Sequence, residues 1–119
     1  MRVLVCGSRY FADRGFVYRT LSALHAVTPF SVLIEGECPI DEGGVDIMAR
    51  DWANENGVPV LPFPPEVGPD GHVLGPKRNA QMIREGRPDI VIAFPGGRGT
   101  SNMIKQAREA GIHVEEIEY

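Results

Sequence analysis

Short apolar runs alternate along the chain with stretches whose apolar residues recur at helical spacing, the pattern of βαβ units around a parallel sheet. Val3-Leu4-Val5-Cys6 marks a first strand over residues 2–6 that ends at Gly7-Ser8-Arg9. A helix over 13–26 follows, with Val17, Leu21 and Leu24 on one face. The second strand, 31–34, gives way to a Gly- and acid-rich loop over 35–44. A second helix over 45–56 carries Val45, Met48, Ala49, Trp52 and Ala53, with Gly57 as its stop. Residues 58–63 read as a third strand, placed at an edge because Pro59 and Pro62 cannot donate to a ladder. Gly75-Pro76 opens a third helix, with Pro76 expected at its first position. The most apolar strand, 89–94, is expected inside the sheet. After 95–100 comes a helix to Ala110 stopped by Gly111, then an acidic last strand over 112–117 at the other edge.

Two edges and three interior strands give the parallel order 3-2-1-4-5 with right-handed crossovers: a single α/β, Rossmann-like, three-layer domain over residues 1–119. Its order reverses between strands one and four, and ligands of such sheets bind beyond the strand ends at that point. Two polar, Gly-containing turns fall there, Gly7-Ser8-Arg9 and Pro95-Gly96-Gly97-Arg98-Gly99-Thr100.

The second turn places three glycines ahead of a helix, letting backbone N–H groups approach a ligand closely. Thr100 is read as the N-cap, and the helix behind it offers free amides and a positive dipole end, an anion site suited to phosphate. A tight turn with a capping Thr is the plainer alternative. The loop lacks the Lys-Ser/Thr ending of a Walker motif. Lys77, Arg78 and Asn79 sit in the first turn of the third helix, where cations oppose the dipole. Either they point into solvent, or a bound anion resolves the conflict. Arg78 is the preferred ligand contact because its fork suits bidentate phosphate binding. Ser8 and Arg9 either assist that anion or form a surface turn. The acidic stretch Glu35, Glu37, Asp41, Glu42 and Asp46 is a solvated loop, or else Asp46 or Glu35 accepts from a ribose hydroxyl or base, or the cluster gathers a hard cation, though calcium-loop spacing is missing. Trp52 is core or a base-stacking face.

Composition narrows the options. The 119 residues are 43% hydrophobic and 24% charged, which supports a packed core and excludes wholesale disorder. A formal net charge of −4 argues against a bulk nucleic-acid or anionic-membrane footprint. Cys6 and Cys38 are too few for a disulfide scaffold and read as reduced thiols. His25, His72 and His113 lack zinc-ligand spacing, so no metal and no cofactor is expected. The chain opens on a strand without basic leader or apolar signal core, and no apolar run approaches the ~20 residues of a membrane span. A cytoplasmic protein is expected.

Val3 to Arg9, then Gly43-Gly44-Val45-Asp46 with Ala49 and Trp52-Ala53, then Lys77 to Met82, then Ala93 to Thr100, together resemble the YspA-type branch of the YpsA-related SLOG family. The resemblance spans nearly the whole chain. It implies a Rossmann-like fold found in bacterial and phage genomes, a nucleotide or nucleotide-derived ligand, and homodimerisation. It places Gly7, Ser8, Arg9, Glu35, Gly36, Asp46, Lys77, Arg78, Asn79 and the 95–100 loop around that ligand. The loop over 35–44 is longer and more acidic than the family's Gly-Gly-x-x-Gly-Ala-Asp segment. Similarity to the Lonely Guy phosphoribohydrolases matches Arg78 to their catalytic arginine, but Met103 stands where they carry a catalytic glutamate. The role implied is ligand binding as a sensor, sequestering or regulatory module. The alternative is cleavage of a nucleotide or NAD-like N-glycosidic bond with Arg78 catalytic, and the residues leave open whether any reaction occurs. Single-strand binding, as in the related DprA proteins, is disfavoured by the acidic balance and few aromatics.

Overall fold

Successive side chains of a strand leave the sheet on opposite faces, so a strand covered on both sides must be apolar throughout. The strand β1 (Arg2–Cys6) meets that demand: Val3 and Val5 enter one core while Leu4 and Cys6 enter the other. The computed structural model describes residues 1–37, 44–71 and 74–119. In chain order it continues α1 (Arg14–Val27), β2 (Val32–Glu35), α2 (Val45–Glu55), β3 (Val60–Pro62), α3 (Gly75–Gly86), β4 (Ile90–Ala93), α4 (Arg98–Glu109) and β5 (His113–Glu116). The sheet is parallel and ordered β3-β2-β1-β4-β5.

One core joins Leu33 and Ile92 of the sheet to Val17 and Leu21 of α1 and to Ala49 and Trp52 of α2. The other joins Ile34, Val91 and Ala93 to Met82 of α3 and to Met103 and Ala107 of α4. Trp52 is 1% exposed and donates its indole N–H to Ser22 Oγ at 2.9 Å, so it is core and faces no ligand. His25 Nδ1 accepts from the Phe30 amide at 2.9 Å and packs against Trp52, while His113 is exposed on β5.

Edge chemistry follows the proline argument. β3 is shorter than the 58–63 expected, because Pro59 stays outside it and supplies only a carbonyl, 2.8 Å from the Leu33 amide. Pro62 closes the strand opposite Glu35. At the far edge β5 exposes His113, Glu115 and Glu116. β4 lies inside, between β1 and β5, with Cys6 level with Ala93. β1 and β4 therefore end together, with α2 rising on one face and α3 and α4 on the other.

Two helix starts differ from expectation. In α3 Gly75 is the first residue and Pro76 the second. In α4 the N-cap is Gly97, three residues before Thr100, and no side chain caps the helix. Thr100 instead lies within the first turn, with its side chain packed against Gly96. A search for a capping side chain overlooks a helix that starts on glycine.

Candidate functional site

Beyond the ends of β1 and β4 the two turns are stitched together through backbone. The Ser8 amide donates to the Pro95 carbonyl at 2.9 Å, and the Phe94 amide donates to Cys6 at 2.9 Å. Gly7 is required by close approach, since a Cβ there would lie 2.5 Å from Val45 Cγ2 and 3.0 Å from Phe94 Cβ. At Gly96 an added Cβ would collide with Thr100 Oγ1 and come within 3.0 Å of the Ser8 amide. Ser8 also accepts the Val45 amide on its carbonyl at 3.1 Å and the Tyr10 amide on its Oγ at 3.0 Å. The leading amide of α2 is thereby occupied, whereas the first turn of α4 has no side-chain cap.

A polar relay fixes α3 against α4. Gln106 Nε2 donates to the Pro76 carbonyl at 2.9 Å and to Asn102 Oδ1 at 2.7 Å. Asn79 Nδ2 donates to the same Asn102 oxygen at 3.1 Å and to the Gly99 carbonyl at 3.1 Å. Asn79 Oδ1 then accepts from Arg78 Nε at 3.2 Å, and Arg78 Nη1 donates to the Gly36 carbonyl at 2.5 Å. Two bonds thus hold the guanidinium from behind, out of five donors in its fork. A Cβ on Gly36 would lie 2.5 Å from Arg78 Nη1 and 3.2 Å from Asp46 Oδ2, so opposite charges converge on that glycine.

These groups line a cavity of about 470 Å³, the size of a small-molecule pocket. Of the residues singled out in the sequence, it gathers Gly7, Ser8 and Arg9 from the first turn, with Gly36 and Asp46 from the β2–α2 side. Arg78 and Asn79 join from α3, and Gly97, Arg98, Gly99 and Thr100 from the start of α4. Four others lie off the lining. Lys77 turns outward and pairs with Glu66 at 3.4 Å, so the cation beside Arg78 goes to solvent. Pro95 and Gly96 form the support beneath the loop. Glu35 lies behind Gly36 with no exposed surface. Cys38, Asp41, Glu42, Gly43 and His72 fall outside the described residues.

Val5 and Cys6 on the pocket floor, and Tyr10 at its edge, carry no signal in the sequence. Met82 and Met103, which complete the floor, stand out there only through the family resemblance, Met103 at the position of a catalytic glutamate. Met82 was accessible in principle, being four residues after Arg78 and so on the same face of α3. Asn102 and Gln106, also missed, share that i, i+4 relation on α4.

Burial decides the titration of two groups here. The Cys6 thiol is free and buried, and desolvation, aided by the negative charge of Asp46, pushes its pKa up against the opposing pull of Arg78. It stays a thiol. Burial also raises the Glu35 pKa to about 7. The Glu37 amide, donating to Glu35 Oε2 at 2.5 Å, and the charge of Arg50 oppose that rise, while Asp46 and Glu37 reinforce it. Glu35 Oε1 is buried without a hydrogen-bond partner among the described residues. Among the described residues no group of three or more His, Cys, Asp and Glu side chains is placed to hold a metal, and no helix is long and apolar enough to cross a membrane.

Fold and site together define a Rossmann-like α/β protein with a glycine- and arginine-lined pocket at its topological switch point. Residues 1–68 match the model of the YspA, cpYpsA-related SLOG family, and the chain belongs to that family. The match includes Ser8, Arg9, Gly36 and Asp46, while Arg78 and the 95–100 loop lie beyond it. A comparison with curated proteins finds no match to this chain.

Proposed function

We propose that this protein binds a nucleotide or nucleotide-derived, phosphate-bearing small molecule, as a sensor, sequestering or regulatory module. The observation that carries the reading is the convergence of an uncapped helix start, the Arg78 guanidinium and the Ser8 hydroxyl on one pocket. Phosphate oxygens accept from the amides of Arg98, Gly99 and Thr100, where the helix dipole favours negative charge. Arg78, fixed by Asn79 and Gly36, supplies charge-assisted bonds from its remaining donors. Ser8 Oγ accepts from Tyr10, leaving its own proton to donate to the ligand. SLOG membership points to nucleotide-related ligands as well.

The floor favours binding over turnover. Met82 and Met103 cannot move a proton, and Cys6 is held as a thiol. Met103 occupies the position where the similar phosphoribohydrolases carry their glutamate. Asp46, lining the same pocket beside Arg78, sustains the second reading: hydrolysis of an N-glycosidic bond, with Arg78 catalytic. Chromatography of nucleoside monophosphates and NAD after incubation separates the two, since free base above the Arg78→Ala control requires hydrolysis.

A thermal-shift panel of nucleotides, cyclic nucleotides and NAD derivatives tests the binding reading. A ligand at a hundred times its Kd adds about 2.7 kcal/mol, a rise of roughly ten degrees. The shift is expected to vanish in Arg78→Ala, and a panel silent at millimolar concentration contradicts the reading. A cytoplasmic setting belongs to the same proposal, supported by the free, buried thiol of Cys6. A homodimer would have to use a helix face, because prolines blunt one sheet edge and exposed charges the other.

A further inference from the structure

Two neighbouring aromatic residues in the turn after β1 have different surroundings. Phe11 packs into a cluster with Phe16, Phe94 and Tyr119 at ring separations of 4.9–6.4 Å. Tyr10 does not join it; the residue is 74% exposed and lines the phosphate-ready pocket. Of the large exposed hydrophobics among the described residues, Val27 and Val67 lie off that pocket. Tyr119 is tied to Asp13 Oδ2 at 2.8 Å. Tyr10 alone of the four adjoins the site.

Its position is also built. The Tyr10 amide is pinned by Ser8 Oγ at 3.0 Å, the hydroxyl already assigned to the anion. Arg9 Cζ lies 5.0 Å from the ring centroid, so a cation covers one face of the ring. The residue is largely exposed, so the ring has surface to offer a flat partner. A lone exposed tyrosine needs no explanation on an ordinary surface, but the backbone of this one is held by the same hydroxyl that the binding reading assigns to the phosphate.

We propose that Tyr10, backed by Arg9, is the stacking platform for the ligand's nucleobase, so that the pocket recognises base and phosphate together and ranks nucleotides above plain sugar phosphates. This rests on the binding reading above and adds the specificity element. Base–aromatic stacking contributes about 1–3 kcal/mol per base, roughly 5- to 150-fold in affinity. It tolerates several bases, since every base offers a π-face.

Calorimetric titration of AMP, GMP, CMP, UMP and ribose 5-phosphate into wild type, Tyr10→Ala, Tyr10→Phe and Arg78→Ala tests it. At least one nucleotide should bind wild type about tenfold or more tighter than ribose 5-phosphate. Tyr10→Ala should bring that nucleotide down to the sugar phosphate's affinity without altering the latter, and Tyr10→Phe should retain the preference. Arg78→Ala should weaken both. If wild type binds nucleotide and ribose 5-phosphate equally, or Tyr10→Ala binds the nucleotide unchanged, the platform is overturned while the anion site stands. If nothing binds wild type, both fall.

Discussion

A carboxyl group with no exposed surface opposes ionisation, and Glu35 shows the consequence most clearly among the described residues. Its folded pKa of about 7 stands above the ordinary 4.5. At pH below the ordinary value both folded and unfolded chains carry the proton, and the contribution to stability is complete. As pH rises toward 7 the unfolded chain gives up its proton and the folded chain does not, so stability is lost across that window. The linkage amounts to about 3 kcal/mol. Urea unfolding at pH 5 and pH 8 should show Glu35→Gln gaining relative to wild type at the higher pH by that order. An equal difference at both values would mean Glu35 ionises freely. The sequence marks Glu35 as acidic but carries no sign that it is buried, because burial is settled by how the elements pack around β2. The same limit separates Lys77 from Arg78: adjacent cations read alike, yet successive positions on a helix point about 100° apart, and only Arg78 meets Asn79 and Gly36.

At the scale of elements, the glycines around α4 divide into support and surface. A Cβ on Gly96 would collide with Thr100 and crowd the Ser8 amide, so Gly96→Ala should cost on the order of 2 kcal/mol and lower Tm by several degrees. Gly99 has nothing within 4 Å of such a Cβ and sits in a helix, where alanine is favoured by up to about 1 kcal/mol. Gly99→Ala should therefore raise Tm while weakening nucleotide binding, because it lines the pocket. Unchanged affinity would place the anion elsewhere. Asn102→Ala removes the acceptor shared by Asn79 and Gln106 and should lower both stability and affinity, with calorimetry and urea melts reporting the two separately. Strands, edges and their order were readable because proline and unbroken apolar runs have local causes. The relay and the helix start at Gly97 were not, since amide pairing is settled by how α3 meets α4 and a glycine cap leaves no side-chain signal.

For the molecule as a whole, the expected size and the observed one agree. The accessible surface is 6485 Å², against roughly 6,300 Å² from mass scaling. The radius of gyration is 13.1 Å, against about 13.5 Å for a compact chain of this length. The net charge of −4 hides a local reversal, for Arg9, Arg78 and Arg98 all line one pocket. Anion binding should accordingly weaken as ionic strength rises, despite the acidic chain. The most direct measurement is a backbone amide NMR titration with the nucleotide that the calorimetry selects. Saturable shifts should centre on Gly97, Arg98, Gly99 and Thr100, with Ser8 and the Arg78 side-chain Nε–H moving at the same midpoint. Saturable shifts confined to other surfaces, with those amides unmoved, would contradict the account.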